Sequence, residues 1–242
     1  MKNLMLFENF AGFQAAESTL VLPNVSYCVQ ENGINYKPDP SRGHAYVEIA
    51  GIKWATMNIG ASSESDAGLY FQWGDTQGYT SSQIGTGSEQ RRMRWIDYKY
   101  SNNGGSGESD MTKYNLIDNK TVLDASDDAA VANWGGKWRM PTEAEFTELL
   151  NNTDALWCTY KGYNGYKLTS KTDSAKFIFF PCAGYCTGNE VSYKGRYGAF
   201  WCSSIDQTNV THSLGLYIGD SFCNMTWDVR KTGSPIRPIL DI

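Results

Sequence analysis

The chain has 242 residues and a formal net charge of −5, with eight Trp, fifteen Tyr and 24 Gly. That length allows one or two domains with a core large enough to need no disulfide staple. A mildly acidic chain lacks the basic footprint of a polyanion binder, so nucleic acid is set aside as a partner. No stretch approaches the roughly 20 apolar residues of a membrane span, so no membrane insertion is expected. Two histidines, His44 and His212, are all that a zinc site or a Ser-His-Asp triad could draw on. The surplus of Tyr and Trp suits a recognition surface, because these rings bring rigid contact area at low entropic cost.

The opening MKNLMLFENFAGFQAA has an apolar run of only four residues, Leu4 to Phe7, against the roughly 7–15 of a secretory leader. The expectation is synthesis and retention in a reducing cytoplasm. Cys28, Cys158, Cys182, Cys186, Cys202 and Cys223 are then reduced, buried thiols rather than disulfides. Residues 1–42 read as a separate arm. Within it, the β-like Leu20–Tyr27 turns at Glu31-Asn32-Gly33 and returns through Ile34-Asn35-Tyr36, and Lys37 to Ser41 reads as a linker. Residues 43–242 form the main domain. Tyr46–Ile49 and Ile52–Ala55 make a hairpin turning at Ala50-Gly51. Residues 76–110, rich in Ser, Gly, Thr and Gln, read as a long surface excursion.

Two helices follow. Asp127 to Ala132 is short, opens on acids that suit a helix N-terminus, and stops at Gly135-Gly136. The second opens on Pro141-Thr142-Glu143-Ala144-Glu145, where Thr142 and Glu145 form a capping box, with Phe146, Leu149 and Leu150 on one face. Strands dominate thereafter. Lys176 to Phe180 is buried. Leu214, Leu216 and Ile218 alternate with Gly215 and Tyr217, and Cys223 and Met225 alternate with Phe222, Asn224 and Thr226. The fold class is α+β, with antiparallel sheets, two helices and long loops.

Six ordered segments carry a resemblance. They are Trp54 to Gly60, Tyr70 to Asp75, Trp134 to Glu143, Phe179 to Tyr185, Phe200 to Ser204 and Gly233 to Ile239. Together they resemble the C-type-lectin-like domain of the sulfatase-modifying-factor and Fibrobacter paralogous domain group, over about residues 43–242. One branch of that group, the formylglycine-generating oxidase, uses a copper-binding cysteine pair near its C-terminus. Cys202 and Cys223 lie in the corresponding third of this chain, but the surrounding catalytic pattern is missing, and no cofactor is expected. A second branch, the variable proteins of diversity-generating retroelements, fits better. There, adenine-directed mutagenesis turns Asn codons into codons that cannot encode Lys, Glu, Gln, Met or Trp. From Tyr197 to Val229 this chain has no Lys, Arg or Glu, and Gln207, Met225 and Trp227 would be its fixed positions. The arm's Leu20 to Tyr27 also resembles the starts of Bacteroides-type phage structural proteins.

The resemblance implies a non-catalytic receptor-binding protein, a phage tail or fibre adhesin assembled in the bacterial cytoplasm and carried on the virion. Its partners would be a host cell-surface protein or glycan, other virion proteins and copies of itself in a homo-oligomer. The alternatives are a non-diversified adhesin or structural domain on a bacterial surface, and an oxidase of the formylglycine type. With Leu214, Leu216, Ile218, Cys223 and Met225 inward, period-two geometry turns Tyr217, Phe222, Asn224 and Thr226 outward. Asp206, Asn209, Thr211 and His212 fall in the preceding loop, Asp220 in the turn, and Trp227 and Asp228 after the last strand. These eleven residues are the expected ligand-binding set, with Trp227 as the exposed anchor. An ordinary sheet face with scattered aromatics is the other reading of the same residues. Cys182 and Cys186 are read as packing, Asp127 and Asp128 as helix-terminal acids rather than calcium ligands, and His44 as structural.

Overall fold

The computed structural model describes residues 28–31, 35–38 and 41–241. The chain divides into a unit of residues 1–39 and a unit of residues 40–242. The boundary falls just before the expected one because Ser41 belongs to the larger unit: the Trp138 indole N–H donates to its carbonyl at 2.7 Å. In the smaller unit, β1 (Cys28–Glu31) pairs antiparallel with β2 (Asn35–Pro38). Lys37 and Pro38 extend the second strand instead of opening a linker, and the expected turn at Asn32-Gly33 lies outside the described residues. Leu20 to Tyr27 lies outside the described residues.

The larger unit is α+β, with antiparallel sheets and two α-helices among the described residues. No helix among them is long and apolar enough to cross a membrane. β3 (Tyr46–Ile49) and β4 (Ile52–Ala55) form the first hairpin. Its turn places Ala50 at φ 52° and Gly51 at φ 77°, the doubly left-handed turn that matches the twist of paired strands. The C-terminal strand β14 (Ile239–Leu240) inserts between β4 and β5 (Trp138–Arg139), with Ile239 opposite both Trp54 and Arg139. The chain end is therefore part of the core. Beside it Arg237, fully buried, donates to the Asn58 Oδ1 and to the carbonyls of Ala55, Thr56 and Phe179.

Helix α1 (Ala129–Trp134) begins where the Asp128 carboxylate accepts the Ala130 and Val131 N–H groups, and ends at Gly135, φ 62°. Asp127 plays a different part from the expected helix-terminal acid. It accepts from Lys99 at 3.1 Å, from Tyr114 at 2.6 Å and from Lys113. Helix α2 (Glu143–Asn151) opens on the Thr142–Glu145 capping box and buries Phe146 and Leu149.

Two three-stranded antiparallel sheets follow. One is β6 (Thr153–Tyr160), β7 (Tyr163–Ser170) and β8 (Phe177–Pro181). After the short hairpin of β9 (Tyr185–Thr187) and β10 (Glu190–Ser192) comes the other: β11 (Gly198–Ile205), β12 (His212–Gly219) and β13 (Phe222–Val229). One core gathers Trp54, Phe146, Leu149, Leu168, Phe180, Phe200, Leu216 and Ile218. A second gathers Phe71, Trp73, Tyr98, Tyr114, Trp201 and Ile236. Residues 76–110 run largely along the surface, as expected, but are pinned at four points: Ile84, Met93, Tyr98 and Tyr100 are buried, because the polar residues between them form turns that return each apolar side chain to the core.

Candidate ligand-binding face

Antiparallel partners share a face, and successive residues alternate between faces. In β12–β13, Leu214 stands opposite Trp227, Leu216 opposite Met225 and Ile218 opposite Cys223. This side packs on Phe146 and Leu149 of α2. The other side carries Gly215, Tyr217 and Gly219 with Thr226, Asn224, Phe222 and Asp228. β13 is the outer strand of its sheet.

Two glycines shape that open side. A Cβ on Gly219 would collide with the Phe222 ring and stand 2.8 Å from Tyr197, and one on Gly215 would stand 2.6 Å from the Phe200 carbonyl oxygen of β11. The bare backbone at Gly219 thus makes room for the two rings, and that at Gly215 for the neighbouring strand. Tyr217 reaches along the strand and donates its hydroxyl to Asp228 Oδ2 at 3.0 Å. Burial, followed by the charge of Asp228, pushes the Tyr217 hydroxyl well above the ordinary tyrosine pKa. Asp228 Oδ1 accepts the Val229 N–H. Tyr197 stacks on Phe222, centroids 5.9 Å apart, and Tyr193 meets Tyr197 edge-on at 5.3 Å. Tyr185 of β9 adjoins Tyr193 at 5.4 Å. The result is an aromatic platform flanked by Asn224, Thr226 and the half-buried Asp228.

Its far end is held by Arg230, which is fully buried. The guanidinium donates to the Tyr98 hydroxyl and to the carbonyls of Lys113, Tyr114 and Val210. It lies over the Trp73 ring at 4.8 Å and within 5.8 Å of Tyr98, Tyr100 and Tyr114. One side chain thus ties the end of β13 to the 98–114 segment and to the β11–β12 loop.

Of the expected set, the structure brings together Tyr217, Phe222, Asn224, Thr226 and Asp228. Trp227 and His212 leave it. The strand continues to Val229 instead of stopping before Trp227, so Trp227 takes the parity of Met225 and points to the other side. There it is 55% exposed and stacks on His212 at 4.2 Å. Asp206 and Thr211 are buried and belong to the loop's own turns. Asp206 accepts the Thr208 N–H and hydroxyl, and Asn209 accepts those of Thr211. Asp220 is exposed in the turn between β12 and β13. The reading of the sequence missed Tyr185, Tyr193, Tyr197 and Arg230. The signal for the platform was Gly215-Leu216-Tyr217-Ile218-Gly219, in which both residues flanking the outward Tyr on its own face are glycine.

Comparison with family models, curated proteins and solved structures returned no match. The chemistry of the fold's own residues therefore carries the reading. Cys202 and Cys223 are both free thiols. Cys223 aligns through Ile218 with Gly198, four residues before Cys202, or roughly 13 Å along the strand at ~3.3 Å per residue. Cys202 Sγ donates to the Leu214 carbonyl at 3.1 Å. Burial pushes both thiols up to about 12, away from the thiolate state that copper binding and nucleophilic chemistry use. Cys182 and Cys186 are buried in the first core. Among the described residues no group of three or more His, Cys, Asp or Glu is disposed to hold a metal ion.

Proposed function

We propose that this chain is a non-catalytic receptor-binding protein built on a C-type-lectin-like domain, a phage tail or fibre adhesin whose C-terminal face is diversified by a retroelement. The observation that carries this reading is the open side of β12–β13. Tyr217, Phe222, Asn224, Thr226 and Asp228 line it, while Leu216, Ile218, Cys223 and Met225, of the opposite parity, pack in the core with Phe146 and Leu149 of α2. Substitution on such a side changes what is recognised without disturbing the core. One of the expected fixed positions agrees with this reading: Met225 packs against the core on the covered side, where a change would reach the packing, whereas Trp227 and Gln207 are exposed. Tyr, Asn, Thr and Asp beside stacked rings also have the composition of evolved binding loops.

The test is deep sequencing of the gene and its flanking DNA from a growing population. Substitutions concentrated at the codons of residues 217, 222, 224, 226 and 228, beside a near-copy template, are the expected outcome. An invariant segment with no template leaves a fixed adhesin or structural domain of a bacterial surface.

A further inference from the structure

Resting on that reading, the platform itself points to the chemistry of its partner. Three features converge on it. First, the platform gathers Tyr185, Tyr193, Tyr197 and Phe222 beside Tyr217, rings whose faces are negatively polarised. Second, Asp228 adds a full negative charge beside them. Two of its roughly four acceptor sites are taken, by Tyr217 and Val229, which leaves sites for a donor from outside. Third, several of the protein's other rings already carry one of its own cations. Lys or Arg groups lie over the rings of Tyr46, Tyr79, Tyr160, Phe177 and, at the platform's rim, Tyr197, where Arg196 stands 5.8 Å from the centroid. Among the described residues no cation lies over Tyr185, Tyr193, Tyr217 or Phe222, and β11–β13 contain no Lys or Arg.

We propose that this platform receives an Arg or Lys side chain of a protein partner, with the cation at Asp228 between Tyr185 and Tyr217 and the adjoining chain against Tyr193, Tyr197 and Phe222. A planar guanidinium fits both demands at once, because it stacks on a ring while donating in its plane to a carboxylate. A neutral sugar would also stack, but it gains nothing from the charge.

The experiment titrates the full chain, labelled with nitrogen-15, with acetyl-Gly-Arg-Gly-amide. The controls are acetyl-Gly-Gln-Gly-amide and the methyl glycosides of mannose and galactose. The arginine peptide is expected to shift the amides of Tyr217 and Asp228 and to bind about tenfold tighter than the glutamine peptide, the ratio of a desolvated cation–ring and charge contact. Asp228→Asn should abolish that preference, and Phe222→Leu should weaken both peptides, with each variant retaining the wild-type far-ultraviolet spectrum and melting profile. Equal binding of the two peptides overturns the proposal. So does a preference that survives Asp228→Asn, or a methyl glycoside bound at this platform in place of the peptide. Diversified codons with no cation preference would leave the adhesin reading standing and remove this one. A cation preference in an invariant gene would leave this proposal standing and remove the diversification.

Discussion

The two sides of β12–β13 are cut from the same sixteen residues and do opposite work. On the covered side, Leu216 and Ile218 are fully buried and Met225 and Cys223 pack under α2. On the open side, Phe222 and Asn224 are exposed, and Tyr217 is held by the single side-chain bond to Asp228. Stability resides on one side and chemical variety on the other, because close packing penalises any change of volume whereas a solvent-facing group has few neighbours to disturb. The glycines sharpen the contrast. On the open side, the absent side chain of Gly219 makes room for rings, and on the covered side a missing side chain would leave a void.

The strongest way to break the comparison is to attack the clamp that serves both sides. Arg230→Ala leaves the carbonyls of Lys113, Tyr114 and Val210 without their donor and opens a space among four rings. A loss of roughly 3–5 kcal/mol is expected, read as a lower denaturation midpoint. Leu216→Ala should cost about 2–4 kcal/mol, the loss from a well-packed core, while Asn224→Ala stays within ~0.5 kcal/mol. Equal effects of these two changes would show that the sides are not divided as described.

Asp127 offers a test through pH. Burial pushes its carboxyl up, but hydrogen bonds from Lys113, Tyr100, Tyr114 and Lys99 outweigh that and hold it well below the usual carboxylate range. A folded pKa below the unfolded value of about 3.9 makes its contribution complete above about pH 4 and progressively lost as the pH falls further. Asp127→Asn should lower stability at neutral pH by about 1–3 kcal/mol and flatten the decline on acidification, as measured by urea unfolding from neutral pH to pH 2. A small effect on stability with a clear local signature should come from Gly219→Ala. Its Cβ would meet the rings of Phe222 and Tyr197, lifting both. Stability should change by less than about 1 kcal/mol, while the ring resonances of Phe222 and Tyr197 shift.

Local signals in the sequence located much of the fold. Ala50-Gly51 named its turn, Thr142 and Glu145 their capping box, and the alternation of Leu214, Leu216 and Ile218 the inward side of β12, because each rests on neighbours within a few residues. Trp227 shows where that kind of reading stops. Its side depends on whether β13 ends before it or runs on to Val229, and the pairing with His212–Gly219 decides this, not the residues around Trp227. Asp127 is a similar case. Its position beside a helix suggested a helix-terminal role, but Lys99 and Lys113, distant in sequence, claim it.

Residues 76–110 mark the same limit. A stretch rich in Ser, Gly and Thr reads as surface, yet Tyr98 and Tyr100 pack around Arg230, more than a hundred residues away. Local backbone preference and pattern were enough to specify the α+β class, the helices with their caps, the Ala50-Gly51 turn and the two-residue rhythm of β12 and β13. Only the tertiary structure decided which outward residues share one surface, because that depends on register between strands and on Tyr185, Tyr193 and Tyr197 arriving from elsewhere in the chain.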